Sequence, residues 1–473
     1  MEITKDNIDS LNAELKIRLT ENDYQSKVNT VLKDYQKKVT VKGFRQGMVP
    51  MGMVKKMYGK SVLVDEVNKL LSQSLYEYLH ENKIEVLGTP LPKETGNGDI
   101  DWEHQREFEF TYEMGLSPAI QLKLQNEKVI KYKVTKDDVL TNKYTDYLRQ
   151  RMGSHKDVQV SETDDLVYGD FAEMSDDHAI LAGGVFKKDC PVAPATIKNE
   201  KVSSKFIGLK PGDKIIVDPK LVENNPTALA TMLGIDKDKA GTLGNTFHFS
   251  VTKITRMVPA EMNQEFFNMV YGKDTVKSED EFQNKNSEAA LAMVNAESEK
   301  KYQYDLIDRA IDKTKAPLPD DFLKRWLVKS NDKPITLEEV EKDYSNYSKG
   351  IKWQLIKGAI IKENSISVSD DEISNEAKNF IRSQYAQYGQ TDVPEKELDD
   401  IAIKILGNQE EKNKIMENLY EAKVVDHLKS TMIAKDKEVK YEEFIKIANQ
   451  ETGKEKSGLA GISKFIKSGF RKS

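Results

Sequence analysis

The sequence predicts a multidomain α+β protein with a small α+β domain, a β-rich domain and an elongated all-α section. Strands and helices alternate in roughly the first 115 residues, short strand-like segments fill residues 155–257, and helical periodicity dominates from residue 258 onward. The chain has 473 residues, enough for about three domains of ~150 residues each. Charged residues reach 32% and hydrophobic residues only 38%, which suits helices with wide solvated faces better than one large core.

Apolar spacing defines the first domain, residues 1–115. Residues 11–19 alternate between apolar and polar side chains, as does the segment 108–114, and both are predicted to be half-buried strands. Between them, Thr20 to Asp23 offers residues that commonly start a helix, and one apolar residue in every three or four from Tyr24 to Val39 marks one face of that helix. These elements predict a small antiparallel sheet with helices on one face.

Two further helices are predicted before the second strand. Residues after Pro50 form a short helix that should end at Gly59, since glycine commonly terminates helices. Ser61 is then expected to cap a second helix, whose apolar stripe runs to Tyr78. The loop from Gly43 to Pro50 is therefore expected to lie at a tip where two helices meet.

Residues 35–64 contain no Asp or Glu but seven cations: Lys37, Lys38, Lys42, Arg45, Lys55, Lys56 and Lys60. The whole chain carries a net charge of −6, so this segment is a local concentration of positive charge in an acidic protein. Binding to a polyanion requires such a concentration. Gly43 and Gly47 allow tight turns that would place Phe44 and Arg45 at an exposed tip. Phe44 would offer apolar surface, and the planar guanidinium of Arg45 would donate hydrogen bonds to a phosphate or a carboxylate. The alternative is a solvated turn between helices.

The middle section, residues 155–257, has the composition of a compact β domain. Strand-like segments occur at residues 166–168, 214–217 and 247–251, with turn-forming Gly and Pro residues between them. One short helix is predicted from Pro226 to Leu233. The preceding residues, 116–154, are predicted to be a linker that is extended at first and helical from Asp137 to Met152.

From Pro259 onward the pattern is nearly all helical. Capping boxes begin at Ser278, Thr336 and Ser369, with helices expected to about residues 313, 363 and 388. Further helices are predicted over residues 320–329, 398–405 and 409–433. Residues 258–450 thus form the helical section, and residues 451–473 are a basic flexible tail rich in Gly, Lys and Ser.

Several kinds of chemistry lack a recognisable motif. The six histidines are scattered, and no metal-ligating pair, phosphate-binding glycine loop or Gly-x-Ser-x-Gly occurs, so neither a metal nor a cofactor is expected. Asp176-Asp177-His178 is interpreted as a polar turn rather than a metal site or a triad fragment. One cysteine, Cys190, excludes an internal disulfide, and no signal peptide or membrane span is recognisable. The protein is therefore expected to be cytoplasmic, with no membrane partner.

The loop Gly43 to Pro50, with the pattern Gly-Phe-Arg-x-Gly-x-x-Pro, resembles the ribosome-binding signature of the trigger factor family. The likeness continues through residues 53–59, and the helical section resembles the family's C-terminal domain at residues 413–421 and 440–444. The family usually has Lys where this chain has Gln46. The resemblance implies a chaperone acting without ATP that docks at the ribosomal exit tunnel and shields nascent polypeptides. The implied ribosome-binding residues are Lys42, Gly43, Phe44, Arg45, Gln46, Gly47 and Pro50.

The resemblance also supplies partners and wider roles. It implies contacts with an exit-tunnel protein and rRNA and with nascent and unfolded polypeptides, and roles in protein export and cell division. It leaves open a homodimer off the ribosome. Client binding would use weak, multivalent contacts, for which the 15 methionines of the chain are suitable side chains. The main client surface is expected on the helical section and the inner face of the first domain.

In this context, residues 155–257 resemble an FKBP-type prolyl isomerase domain. The resemblance implies that Phe171, Phe186 and Phe247 stand near the isomerase pocket. The family's apolar floor, Ile-Pro-Gly-Phe, is missing, and Val202-Ser203-Ser204-Lys205-Phe206 stands near its place. Because an apolar cup favours the twisted amide over the planar one, its loss predicts a degenerate domain with little activity. A shifted register could instead let Phe206-Ile207 supply the floor.

Two other functions remain open from the sequence. One is an active prolyl isomerase whose other domains deliver unfolded chains, which would require an intact apolar cup. The other is an rRNA-binding protein, which the basic segment suggests, although interleaved aromatic residues and repeated RNA modules are absent.

Overall fold

A four-stranded antiparallel sheet begins the chain, built from β1 (Glu2–Asn7), β2 (Asn12–Leu19), β3 (Val86–Pro92) and β4 (Phe108–Leu116) in the order β1-β2-β4-β3. The structure is a computed structural model that describes residues 1–93, 100–175, 177, 179–241, 243–244, 246–331, 334–387, 389–390 and 392–452. The predicted strands at residues 11–19 and 108–114 are confirmed as β2 and β4. Their register places Leu15 opposite Tyr112 and Ile17 opposite Phe110, so alternate residues face one core.

Two helices, α1 (Glu21–Lys38) and α2 (Met51–Glu81), cover this sheet. A capping box between Thr20 and Asp23 starts α1, as the sequence predicts. The prediction of two helices divided at Gly59 is wrong, because α2 is continuous. A glycine inside a helix costs only about 1 kcal/mol, while Val54 and Val62 on either side of it are buried in the same core.

The connector contains more structure than the sequence indicates. It holds β5 (Lys128–Val134) before α3 (Asp138–Arg151), the predicted helix, whose N-cap Asp137 accepts a hydrogen bond from the Leu140 amide at 2.7 Å. Strand β5 was missed because its hydrogen-bonding partner lies about 300 residues away in the chain, beyond the reach of local patterns.

A five-stranded sheet forms the middle section. Its strands are β6 (Ser154–Asp157), β7 (Leu166–Glu173), β8 (Phe186–Val192), β9 (Lys214–Val217) and β10 (Phe247–Val258), in the order β6-β10-β7-β8, with β9 also pairing with β10. Four short helices accompany it: α4 (Glu200–Ser203), α5 (Pro219–Val222), α6 (Pro226–Leu233) and α7 (Lys237–Ala240). The predicted helix Pro226–Leu233 is confirmed. Asp176 and His178, two of the three residues interpreted as a polar turn, lie outside the described residues.

The remaining chain is mostly helical. Its helices are α8 (Gln264–Tyr271), α9 (Glu279–Lys313), α10 (Asp320–Ser330), α11 (Leu337–Glu363), α12 (Asp370–Gln387), α13 (Glu395–Leu406), α14 (Gln409–Thr431) and α15 (Tyr441–Thr452). The helix expected to continue to residue 433 ends earlier, because β11 (Ile433–Val439) follows and pairs with β5. Residues 453–473 of the predicted tail lie outside the described residues.

The chain divides into two compact units, each formed by two separate stretches. One unit contains Met1–Lys131 and Tyr302–Lys435, and the other contains Tyr132–Lys301 and Asp436–Ser473. In the first unit, Phe322 and Leu323 of α10 pack against Leu91 of β3. In the second, the middle sheet has its own core around Phe171, Phe206 and Phe249. The predicted domain boundaries stay predictions.

Candidate functional site

The loop between α1 and α2 is shaped by two backbone turns. The Phe44 amide donates to the Val41 carbonyl at 3.0 Å, and the Met48 amide donates to the Arg45 carbonyl at 2.9 Å. Gly43 and Gly47 have φ values of +92° and +81°, a conformation that other residues rarely adopt. The glycines therefore allow two successive turns that hold residues 44–46 at the tip.

The base of this loop is anchored to the fold. The Val49 side chain is fully buried in the core beneath α1 and α2. Gln36, in the last turn of α1, donates through Nε2 to the Val49 carbonyl at 2.7 Å. The sequence pattern does not identify Gln36 or Val49 as anchors of the loop. A usable signal is the apolar Val49 directly before Pro50, the residue that precedes α2.

The predicted docking residues lie together on this loop. Lys42, Gly43, Phe44, Arg45, Gln46 and Pro50 are exposed, and Gly47 is half-buried. The Phe44 side chain, at 38% exposure, does not fold back into the core. Gln46 Nε2 lies 3.5 Å from the Lys38 carbonyl, so this side chain turns toward the end of α1.

All seven cations of residues 35–64 are exposed. Lys37 pairs with Asp34 at 2.9 Å, and its hydrogen bond, with the charge of nearby Lys38, holds the pKa of Asp34 below its usual range. Within the described part of the chain, the other six cations form no ion pair (Lys38, Lys42, Arg45, Lys55, Lys56 and Lys60). Their positive field is therefore available to an anionic partner.

Exposed methionines accompany these cations. Met48 is 72% exposed on the loop, and Met53 and Met57 are 38% and 51% exposed one turn apart on α2. A flexible thioether side chain adapts to irregular apolar surfaces. The sequence does not distinguish these three methionines from buried ones, because the exposure of an apolar side chain depends on how its segment packs against the rest of the fold.

The structure separates the three phenylalanines expected near an isomerase pocket. Phe171 and Phe247 are fully buried, with ring centroids 6.4 Å apart. Phe186 is 55% exposed, and the strand register places it opposite Ala172, one residue out of step with Phe171. Phe171 and Phe247 thus belong to the core of the middle sheet and Phe186 to its surface. Their role in an isomerase pocket stays a prediction.

The segment in place of the apolar floor is helical. Val202 lies in α4 and Phe206 ends a following 3₁₀ turn, and both side chains are buried in the core. The polar side chains between them bond to backbone carbonyls: Ser203 Oγ donates to Pro194 at 2.8 Å, and Lys205 Nζ donates to Ile216 at 2.9 Å. Ile207, the other half of the shifted-register alternative, is 42% exposed.

An ion pair between a half-buried arginine and a buried aspartate lies in the middle section. Arg256 of β10 donates through Nε and a terminal nitrogen to the two oxygens of Asp165, both at 2.8 Å. Burial alone would raise the pKa of Asp165, but the hydrogen bonds from Arg256 and the Glu162 amide outweigh it and hold the pKa below its usual range. Burial also raises the pKa of the Cys190 thiol, which favours the unreactive protonated form.

The described ranges contain neither a side-chain cluster suited to a metal ion nor a helix suited to a membrane. No group of three or more His, Cys, Asp or Glu side chains there could hold a metal ion. No helix within those ranges is both long enough and apolar enough to cross a bilayer.

Three family models match successive parts of the chain. They are the bacterial trigger factor protein over residues 1–182, the probable trigger factor FKBP-like domain over residues 155–259, and the probable trigger factor C-terminal domain over residues 298–448. Together they match the chain up to residue 448 except for residues 260–297.

Curated relatives align with more than nine tenths of the chain. Trigger factor of Pelagibacter ubique is 24% identical, over 95% of this chain and 90% of its own. Trigger factor of Treponema denticola is 23% identical over 92% and 97%, and that of Hahella chejuensis 24% identical over 94% and 96%. A solved structure from work on promiscuous substrate recognition by the trigger factor chaperone aligns over 90% of this chain and 99% of its own, with 14% identity and a TM-score of 0.41.

An N-terminal ribosome-docking domain, an FKBP-like domain and a helical C-terminal region, in this order, define a ribosome-associated chaperone. The N-terminal domain carries the exposed basic loop of residues 43–50. The chain belongs to the trigger factor family.

Proposed function

We propose that this chaperone docks at the ribosomal exit tunnel through residues 42–50 and shields nascent polypeptides without ATP. The observation that carries the proposal is the loop tip, where Phe44 and Arg45 are exposed near five lysines that, like Arg45, lack an ion pair among the described residues. A charged hydrogen bond contributes about 1.5–3 kcal/mol. Loss of Arg45 should therefore weaken docking roughly tenfold or more.

Co-sedimentation with intact ribosomes tests this docking. The variant Phe44→Ala, Arg45→Ala, Gln46→Ala should lose most binding at physiological salt, and wild-type binding should fall as salt rises. A matched control is Phe186→Ala, Lys188→Ala, which also removes one exposed aromatic side chain and one cation, but from β8. Normal sedimentation of the loop variant, or equal loss in the control, would refute the proposal.

The partner at the docking site is proposed to include both a ribosomal protein and rRNA. Exposed Phe44 and Met48 suit an apolar protein surface, and the cations suit phosphates. Equal affinity for free rRNA and for intact ribosomes would favour the alternative of a general rRNA-binding protein. A cytoplasmic location and a homodimer off the ribosome are further proposals, the second of which sedimentation velocity can test.

The client surface is proposed to lie on the helical section together with the first domain. Phe380 of α12 and Ile403 of α13 are 54% and 69% exposed, and Tyr76 of α2 is 71% exposed. Scattered apolar side chains of this kind bind weakly one at a time and usefully together, so clients can leave without nucleotide hydrolysis.

A second candidate activity, prolyl isomerisation, is proposed to be vestigial. Phe171 and Phe247 are enclosed in the core, and the segment at the expected floor uses its Ser and Lys side chains to bond backbone carbonyls. The domain then serves as a spacer or an additional client surface.

A further inference from the structure

Gln36 joins the last turn of α1 to the far end of the docking loop, residues 42–50. Its carboxamide donates through Nε2 to the Val49 carbonyl at 2.7 Å, across 13 positions of sequence. Gln36 is half-buried, whereas Tyr35 and Lys37 on either side of it are exposed. The Gln36 side chain is therefore directed at the loop's own backbone and not at a partner in solution.

The Val49 carbonyl depends on this one donor. The first amides of α2 use the next carbonyl instead, since Met53 and Val54 donate to Pro50 at 2.9 and 3.2 Å. Among the described residues, no backbone amide donates to Val49. Because a carbonyl that is shielded from water and left without a donor is unfavourable, the orientation of the Val49 peptide depends on Gln36.

Two hydrogen bonds connect the docking loop to α1 in the described part of the chain, and they differ in quality. The Gln36 bond is short, whereas Gln46 Nε2 lies 3.5 Å from the Lys38 carbonyl, at the limit for a hydrogen bond. The Val49 side chain is fully buried, so it fixes where the loop ends. The Gln36 bond then fixes how the peptide at that point is oriented.

We propose that Gln36 is a positioning residue for docking, whose bond to the Val49 carbonyl fixes the direction in which Phe44 and Arg45 are held. The inference rests on the proposed docking function and adds to it a residue that touches no partner. A loop already held in its binding conformation loses less conformational entropy on binding than a mobile loop does. Loss of Gln36 should therefore weaken docking although Phe44, Arg45 and every cation of the segment remain.

A matched pair of variants in the full chain tests this role. Gln36→Met keeps a side chain of similar length but removes the N–H donor. Gln25→Met is the control, because Gln25 is also half-buried on α1 and donates through Nε2, but to Asn29 on the same helix at 3.1 Å.

Titration with intact ribosomes at low salt, where binding is strongest, compares the two variants. Gln36→Met should lose at least about fivefold in affinity, and Gln25→Met should stay within about twofold of wild type. A loss below about twofold in Gln36→Met, or an equal loss in the two variants, would overturn the proposal.

A double-mutant cycle separates positioning from direct contact. If Gln36 acts by orienting the tip, Gln36→Met should cost less than about twofold in a chain that already carries Phe44→Ala and Arg45→Ala. The same fold loss in both backgrounds would show that Gln36 acts independently of the tip, which contradicts the proposal.

Hydrogen exchange of the free chain gives a readout that general destabilisation would not reproduce. The Phe44 and Met48 amides close the two turns of the loop. In Gln36→Met they should exchange at least about threefold faster, while the β2 amides keep their wild-type protection. Equal loss of protection in the loop and in β2 would assign the weaker docking to unfolding of the domain and overturn the proposal.

The same titrations distinguish failure of this inference from failure of the proposed function. If the wild-type chain does not bind intact ribosomes, the docking function fails and the inference fails with it. If wild type binds, the Phe44→Ala, Arg45→Ala chain loses affinity and Gln36→Met binds as wild type does, docking stands and only the role of Gln36 fails.

Discussion

The docking loop and the segment Val202–Phe206 contain similar residues in opposite situations. Each contains a phenylalanine next to a cation, yet Phe44 is 38% exposed and Phe206 is fully buried. Arg45 is exposed without an ion pair, whereas Lys205 donates to the Ile216 carbonyl. The difference lies in the backbone: glycine turns hold residues 44–46 outward, and a helical turn carries Phe206 into a core. The same residue types therefore serve recognition in one place and packing in the other.

The largest expected effect compares the two phenylalanines directly. Phe206→Ala should destabilise the FKBP-like domain by about 3–5 kcal/mol, because it leaves a cavity beside Phe249, whose ring centroid lies 5.3 Å away. Phe44→Ala should change stability by less than about 0.5 kcal/mol. Hydrogen exchange of the β10 and α1 amides in the full chain measures both. Similar protection losses in the two variants would contradict the comparison.

The next effect concerns catalysis. The uncatalysed barrier to prolyl rotation is ~18–20 kcal/mol, and each 1.36 kcal/mol of lost transition-state stabilisation costs about tenfold in rate. Without an apolar floor, kcat/KM on a short Xaa-Pro peptide should lie at least about a hundredfold below that of an FKBP with an intact floor. A protease-coupled assay measures it. Ordinary turnover that falls in Ile207→Ala, but not in Phe186→Ala, would restore the active-isomerase alternative.

A smaller effect concerns Arg256, which pairs with Asp165, whereas Arg45 of the docking loop has no ion pair among the described residues. Asp165→Asn should cost about 1.5–3 kcal/mol by removing the buried one of the two carboxylates that pair with Arg256, the other being Glu162. Because the folded pKa of Asp165 is lowered, its contribution is complete above the unfolded value of about 3.9 and is lost as pH falls through the folded pKa. Denaturation from pH 7 to pH 3 should show the difference between wild type and variant shrinking only below about pH 4. A constant difference would refute this assignment.

The smallest effect tests the glycine turns. Gly43→Ala should strain the loop by about 1–2 kcal/mol, since φ is +92° there, and should weaken ribosome binding a few-fold. Gly52→Ala lies in α2, where φ is not positive and a Cβ atom meets nothing within 4 Å, so it should be neutral or stabilising. Ribosome titrations of both variants provide the measurement. Equal binding would show that the loop conformation does not limit docking.

The sequence by itself determined whatever depends on neighbouring residues. The predicted stripe from Tyr24 to Val39 is confirmed only as far as Leu32, because Tyr35 is exposed and Val39 lies past the end of α1. That part of the stripe, the capping chemistry at Thr20 and Thr336, and the glycine turns around Phe44 appear in the structure as predicted. Each rests on contacts between residues a few positions apart, so spacing and residue type suffice to predict them.

Tertiary structure decided whatever depends on distant partners. Strands β5 and β11 form only because they pair with each other across the chain, and α2 continues through Gly59 because one core buries both of its halves. The separation of Phe186 from Phe171 follows from a strand register. Local patterns cannot predict these features, because the free energy that fixes them comes from burial and pairing between segments far apart in sequence.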